Sequence, residues 1–410
     1  MISRIVNGNT GFTANPLMGL TAYIDERIML NKAILDASVD VPMVLMANNP
    51  VERRERFNRA GIAWVIAFAS PYLTLPLTNR LAMKHIAKIT KSYSSDPLNK
   101  LIKISNKYLH KGADVENAAK KVMQDANIST NISEVIQKSG GAEKFRQKIV
   151  NAKNSVLAFD LAFTTGTVGS IGFYNNWRTK KRTGRDGFSA EFSMADKGII
   201  DKRAEKYKKA EGLRKAAFYS FVGLLALMPL AIKRGLASGN FIKKHAHLFD
   251  YDDGILLKRF PLFLACCGFY LGMSMASRNR TELKDNLLRA TLGMAIFFGG
   301  DRVVGTALGK FSDKVFKTDL IDKNCDKNFI NKILPPIKNI KDMDARSKKF
   351  GAGAFWLNLA LLSAAIGFGA PYVLNRFIKR DVSGDISKQE NQNYLKQTLQ
   401  NSPLRNLVYN

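Results

Sequence analysis

Six dense apolar blocks, each close to the length of a membrane-spanning helix, limit what this 410-residue chain can fold into. A spanning helix needs about 20 mostly apolar residues, within a range of roughly 17–25. The blocks cover residues 61–77, 155–174, 216–232, 260–276, 287–308 and 351–374. The first, third, fourth and sixth carry no charge. The second contains Asp160, and the fifth contains Arg289, Asp301 and Arg302. A central charge costs about 2.5–3.5 kcal/mol on insertion scales. The rival reading of these two blocks is a helix packed against other helices or lying in the interface. The pattern predicts an all-α fold, a polytopic helical membrane protein with about six spans (four to six) and basic amphipathic helices on its surface.

Bulk composition hides this pattern. The chain is 46% hydrophobic with a mean hydropathy of −0.13, near the soluble average. The connectors are very basic, because 63 Lys and Arg face 34 Asp and Glu, a net charge of +29. That charge points to a polyanionic partner, and for an embedded chain the nearest polyanion is the anionic lipid headgroup. Lysines outnumber arginines by 40 to 23, which argues against nucleic acid, since Arg is the better fork for phosphates and base edges. Arg178, Lys180, Lys181, Arg182 and Arg185 follow the second block and are the candidate lipid contacts.

The connectors have structure of their own. Residues 17–37 place apolar side chains at helical spacing, within an amphipathic segment covering 1–59. Pro42 and Asn48-Asn49-Pro50 then break the chain. The basic connector 81–154 holds two amphipathic helices split at Gly112 over 97–126, and a break at Gly140-Gly141. Residues 196–215, within the connector 177–215, form a basic helix that feeds the third span. Ten residues, 277–286, join blocks four and five into a hairpin within the 216–308 bundle. Pro335-Pro336 interrupts the connector 309–349, and 377–410 is a polar tail, loose from 383 onward.

Positive-inside orientation fails as a test. With six spans, 29 Lys and Arg fall on one side and 32 on the other. Long loops weaken the rule, and a block that does not span would upset the tally. The lysine-rich usage and the lack of a presequence lean toward a bacterial inner membrane.

Chemistry-bearing motifs are sparse. The three cysteines form no disulfide framework and no CxxC, and no HExxH or paired-carboxylate pattern occurs. The sequence therefore leans to a non-enzymatic protein with no cofactor. His245, His247 and the Asp250–Gly254 acidic run miss the EF-hand spacing, so no metal site is expected. Asp160, Asp301 and Arg302 are the candidate intramembrane polar residues. Gly299-Gly300 ahead of Asp301-Arg302 would break the helix as in discontinuous transporter helices. The plainer reading puts the pair at the interface, with Arg302 reaching for headgroups. Gly268-x3-Gly272 and Gly305-x3-Gly309 have helix-packing spacing and offer a face for a homo-oligomer, or for packing within one bundle. Blocks one and six share Ala-Gly near an aromatic, then Pro-Tyr, then Asn-Arg, a pattern that would fit either duplicated halves or common membrane grammar. Two functional expectations result. The first is a membrane scaffold that binds anionic lipid surfaces. The second is a small transporter or channel using Asp160 and the Gly299–Arg302 break.

Overall fold

The computed structural model describes residues 16–25, 27–66, 100–125, 129, 131–238, 245–251, 259–325 and 329–400. Among these residues the fold is all helical, and its one β pairing is an isolated antiparallel bridge between Ile321 and Ile337. Most of the first block, 67–77, lies outside the described residues. The helices are α1 (Pro16–Asp25), α2 (Ile28–Leu45), α3 (Pro50–Trp64), α4 (Val115–Asp125), α5 (Ile132–Lys138), α6 (Ala142–Thr183) and α7 (Lys197–Lys209). They continue as α8 (Glu211–Ser238), α9 (Arg259–Met275), α10 (Arg280–Ala295), α11 (Asp301–Phe316), α12 (Phe329–Ile333), α13 (Ala345–Ala364) and α14 (Ala370–Gln400).

Three helices among the described residues are long and apolar enough to cross a membrane: α6, α8 and the continuous α13–α14 rod. That is fewer than the four to six expected. The fourth block forms α9, which is apolar but only 17 residues long. The fifth forms α10 and α11, whose charged ends lower its hydropathy.

The 42-residue α6 is about 63 Å long at 1.5 Å per residue, roughly twice a bilayer's hydrocarbon core. Gly141 (φ 99°) precedes it. Gly184 ends it in the left-handed region (φ 65°), with its N–H bonded to the Lys180 carbonyl. Lys180, Lys181 and Arg182 occupy the last turn, where cations complement the helix dipole.

The N-terminal part of α6 anchors a packed layer. Leu101, Leu109, Val115, Met123, Val135 and Phe145 are buried together there. The buried Lys153 ammonium donates to the Ile104 carbonyl (2.6 Å) and to Asp250 (3.0 Å). Asp250 also accepts from the Asn106 N–H (2.8 Å) and the Ser105 hydroxyl (2.6 Å), so one carboxylate fastens two loops to the helix.

Further on, α6 packs against α8 and α9. A Cβ on Gly268 would sit 2.0 Å from Thr165, and one on Gly272 would sit 2.3 Å from the Gly169 carbonyl oxygen. Close backbone approach is what joins helices where no hydrophobic force does. Gly305 and Gly309 face Ile337 and Ile321, beside the β bridge. Both small-residue faces are thus occupied inside the chain.

Local expectations fail at three places. The 17–37 segment forms two helices, α1 ending at Asp25 and α2 starting at Ile28, and Pro42 is absorbed within α2. The 97–126 segment holds 3-10 turns at Lys100–Lys103 and Asn106–Tyr108 and one α-helix, α4. The tail is not loose as far as Gln400, because α14 carries on through it.

Candidate functional site

The site begins with a sequence duplication. Asn49-x2-Glu52-x2-Glu55-x3-Arg59 in α3 recurs 230 positions later as Asn279-x2-Glu282-x2-Asp285-x3-Arg289 in α10. Both asparagines are N-caps, accepting at 2.9 Å from the first-turn N–H three residues on, of Glu52 and of Glu282. Both glutamates reach back in a variant of the capping box, accepting at 2.6 Å from the N–H of the residue before the cap, Asn48 and Arg278. Each helix is the second arm of a hairpin, α2–α3 and α9–α10. Each also winds into a π-turn, beginning at Val65–Ile66 in the first and spanning Ile296–Gly300 in the second. π-turns concentrate at functional sites.

A buried ion network joins the two caps. Arg278 grips Glu55 with both terminal nitrogens (2.9 and 3.0 Å) and Glu282 with Nε and Nη2 (3.0 and 2.8 Å). Its charge holds the Glu55 carboxyl below the ordinary glutamate value despite burial, with help from the Ser189 and Thr179 hydroxyls. Asn49 donates to the Ser189 carbonyl (2.7 Å) and Asn279 to a Glu191 carboxylate oxygen (3.0 Å). The short turn Ser189–Glu191 is therefore wedged between the two helix starts.

Glu191 is fully buried, and burial pushes its carboxyl up to about 7, against the opposing pull of Arg203 and Asn279. The native state then holds this proton more tightly than the unfolded chain does. Its contribution to stability is full below about pH 4.5 and is lost as pH rises through about 7, a swing on the order of 3 kcal/mol. Glu191→Gln should flatten that slope, melting like the parent at pH 5 and higher than the parent at pH 8. Parallel melting curves at the two pH values would count against it.

The two hairpins enclose a cavity of about 110 Å³. Asp36 and Asp40 enter from α2, Arg59 from α3, Tyr270 from α9, and Asn286 and Arg289 from α10. Gly293 leaves room for the Tyr270 hydroxyl, which would stand 2.6 Å from a Cβ there. Arg289 bonds to Asp285 through Nε (2.8 Å), but its Nη1 is buried without a hydrogen-bond partner, as is Nε of Arg59. Val39, Phe269, Phe297 and Ile366 supply apolar wall. A cavity of about 80 Å³ shares Asp36 and Tyr270 and extends toward Thr164 of α6. One of about 30 Å³ shares Asp40, Arg59 and Arg289 and extends toward Glu55 and Ser189.

The residues singled out from sequence lie elsewhere. Asp160 is buried in α6 and accepts from the Tyr251 hydroxyl at 3.4 Å. Gly299-Gly300 do not break the helix, because the chain passes through them as the π-turn into α11. Lys32 and Arg259 donate to the Phe297 and Phe298 carbonyls of that turn and clamp Asp301 between them (3.4 and 2.9 Å). Arg302 donates to the Leu334 carbonyl (2.8 Å) and to Asn331, fixing the 329–336 loop. Asp301 and Arg302 are each held by protein partners, and both also line a cavity of about 190 Å³ with Asp25 and Asn358.

Lys180, Lys181 and Arg182 are exposed, and Arg178 and Arg185 half-exposed, at the end of α6. Lys180 pairs with Asp186, while Lys181 lies over Trp177 and Arg185 over Phe192.

Sequence reading missed Asp36, Asp40, Arg59 and Arg289 as a group. Self-comparison at a fixed offset would have found the two arginines through the repeated cap motif. Nothing local marks the two aspartates, which sit in a largely apolar helix that also carries Asn31, Lys32 and Ser38. Comparison with known protein families, with characterised proteins and with solved structures finds no match.

Proposed function

We propose that the chain is a multi-pass integral membrane protein whose duplicated hairpins enclose a solute site, the arrangement of a secondary transporter. Membrane residence is supported by the three long apolar helices and by what they leave uncovered. Leu224, Leu227 and Leu230 on α8 and Phe368, Tyr372 and Val373 on the α13–α14 rod are exposed, an apolar surface that suits lipid and not water. Further spans from α9, from α10–α11 and from residues 61–77 complete a four-to-six-span bundle in this reading. Transporter folds place their sites at the interface of internal repeats, next to irregular helix segments.

The observation that carries the reading is the cavity between the two repeats, with two carboxylates and two arginines whose buried N–H groups lack partners. Buried polar groups without partners cost about 1–3 kcal/mol each, so retaining them calls for a reason, and a ligand is one. The test is solute-evoked current from proteoliposomes on a solid-supported membrane, screened over amino acids, organic cations and organic anions. At least one solute should give a saturating current that Asp36→Asn with Asp40→Asn abolishes. Silence over the whole screen, with helical content intact, would sink the proposal.

A second reading, an anionic-lipid-binding surface, is favoured by the exposed Lys180, Lys181 and Arg182 beside exposed Trp177 and Tyr174. Aromatic side chains with basic neighbours mark membrane–water interfaces. Replacing the three cations by glutamine should weaken retention of phosphatidylserine by about 1 kcal/mol per charge. Equal retention by the variant, measured on lipid copurified from mixed micelles, would exclude it.

A further inference from the structure

The chemistry of the cavity narrows the class of solute. The lining charges are ordered along it. Asp36 also borders the extension toward Thr164, whereas Arg59 and Arg289 also border the opposite extension toward Glu55. Asp36 thus stands apart from the two guanidiniums, whereas Asp40 borders the same extension as they do, together with Glu52, Glu55 and Asp285. Both the aspartates and the arginines have unused bonding capacity. Among the described residues the carboxylates of Asp36 and Asp40 accept no hydrogen bond. Arg289 is only 9% exposed and its Nη1 is unpartnered.

We propose that the cavity binds a small amino-acid zwitterion, with its ammonium group against Asp36 and Asp40 and its carboxylate against Arg59 and Arg289. This rests on the solute-site reading above. A lone cation would leave the guanidinium donors unmet, and a lone anion would leave the carboxylates unmet. A zwitterion meets both and enters as a neutral species, which limits the penalty for burying charge in an apolar bundle. The arginine fork suits a planar carboxylate. The size agrees: about 110 Å³ is several times the ~30 Å³ share of one water molecule and well short of the ~300 Å³ lower bound of drug-sized pockets. The apolar wall leaves space for a short aliphatic side chain and for little else.

The experiment uses the full chain in detergent, with glycine, L-alanine and β-alanine as probes and ethylamine and propionate as the two halves. Ligand-dependent melting should show a saturable rise for at least one amino acid and none for either half at the same concentration. Asp36→Asn should weaken that binding tenfold or more. Arg289→Lys, which keeps the charge but loses the fork, should do the same and serves if the first variant fails to fold. No shift with any amino acid, or an equal shift with ethylamine or propionate alone, would overturn the assignment. The outcomes separate from those of the transport reading. Amino-acid binding without current overturns transport and keeps the ligand class, whereas current from another solute without amino-acid binding does the reverse.

Discussion

Replacing Arg278 by alanine is expected to destabilise the folded protein by about 3–5 kcal/mol, the range for removing one member of a buried charge cluster. The residue is almost fully buried and is shared between Glu55 of the first hairpin and Glu282 of the second. Its loss strands two buried carboxylates at once. Glu55 retains the Ser189 and Thr179 hydroxyls, and the Glu282 carboxylate retains the backbone N–H of residue 278. Those neutral donors do not balance two negative charges about one residue's width apart in low dielectric. Protonating the carboxylates is the remaining relief, so the deficit should shrink as pH falls toward 4. The neighbouring Arg280→Ala is the control. Arg280 is exposed, and surface substitutions of that kind stay within about ±0.5 kcal/mol. Unfolding in mild detergent measures both. A loss below about 1 kcal/mol for Arg278→Ala would mean the two hairpins are not held together through this guanidinium.

How much of this was legible in the sequence depends on the kind of signal. Block hydropathy is summed over many residues, so α6, α8 and the α13–α14 rod emerge wherever they are placed in the fold. The fifth block shows the limit of that signal. Arg289 near its start and Asp301 and Arg302 further along read as costs to insertion, yet each has a partner: Arg289 pairs with Asp285 four residues earlier, and the partners of Asp301 and Arg302 lie far off in sequence. Asp301 is met by Lys32 from 269 residues away and by Arg259 from 42. A pattern rule sees Gly299-Gly300 as a break because glycine weakens a helix. The π-turn instead keeps the helix whole, and its freed carbonyls are taken by the same two cations. The loose tail failed for a related reason. Thr281 and Lys284 of α10 hold α14 at Asp381 (2.6 and 2.9 Å), just before the polar stretch, and the helix continues from there to Gln400.

The candidate site was less legible than the fold. Its charges come from three helices, and only the repeated cap motif is local. An Asn followed three residues later by Glu is a common helix start, so either copy alone carries little information. The acid and the arginine at matching offsets make the pair informative. Those two positions also reach past the cap: Glu55 pairs with Arg278, Asp285 pairs with Arg289, and Arg59 and Arg289 line the cavity.

Gly272→Ala is expected to destabilise the protein by about 3 kcal/mol, the upper end of ordinary overpacking. The added methyl would fall 2.3 Å from the Gly169 carbonyl oxygen and 2.6 Å from its Cα, so it meets backbone and not a side chain that can rotate away. The only relief is to part α6 from α9. That separation also disturbs the adjoining contacts, where Gly268 receives Thr165 and Gly172 lies against Met273 and Ala276. Because α9 carries Tyr270 and leads through Ser277 into the Arg278 network, the displacement should reach the cavity. Solute-evoked current should therefore fall along with stability. Gly353→Ala in α13 has the opposite expectation. A Cβ there meets nothing within 4 Å, so alanine should be neutral or stabilise by up to about 1 kcal/mol through helix propensity alone. Both are single methyl additions to apolar helices, and a general intolerance of the membrane bundle to substitution would move them alike. A difference of about 3 kcal/mol between them assigns the effect to the α6–α9 contact. Equal melting temperatures would show that the two helices are not packed backbone to backbone.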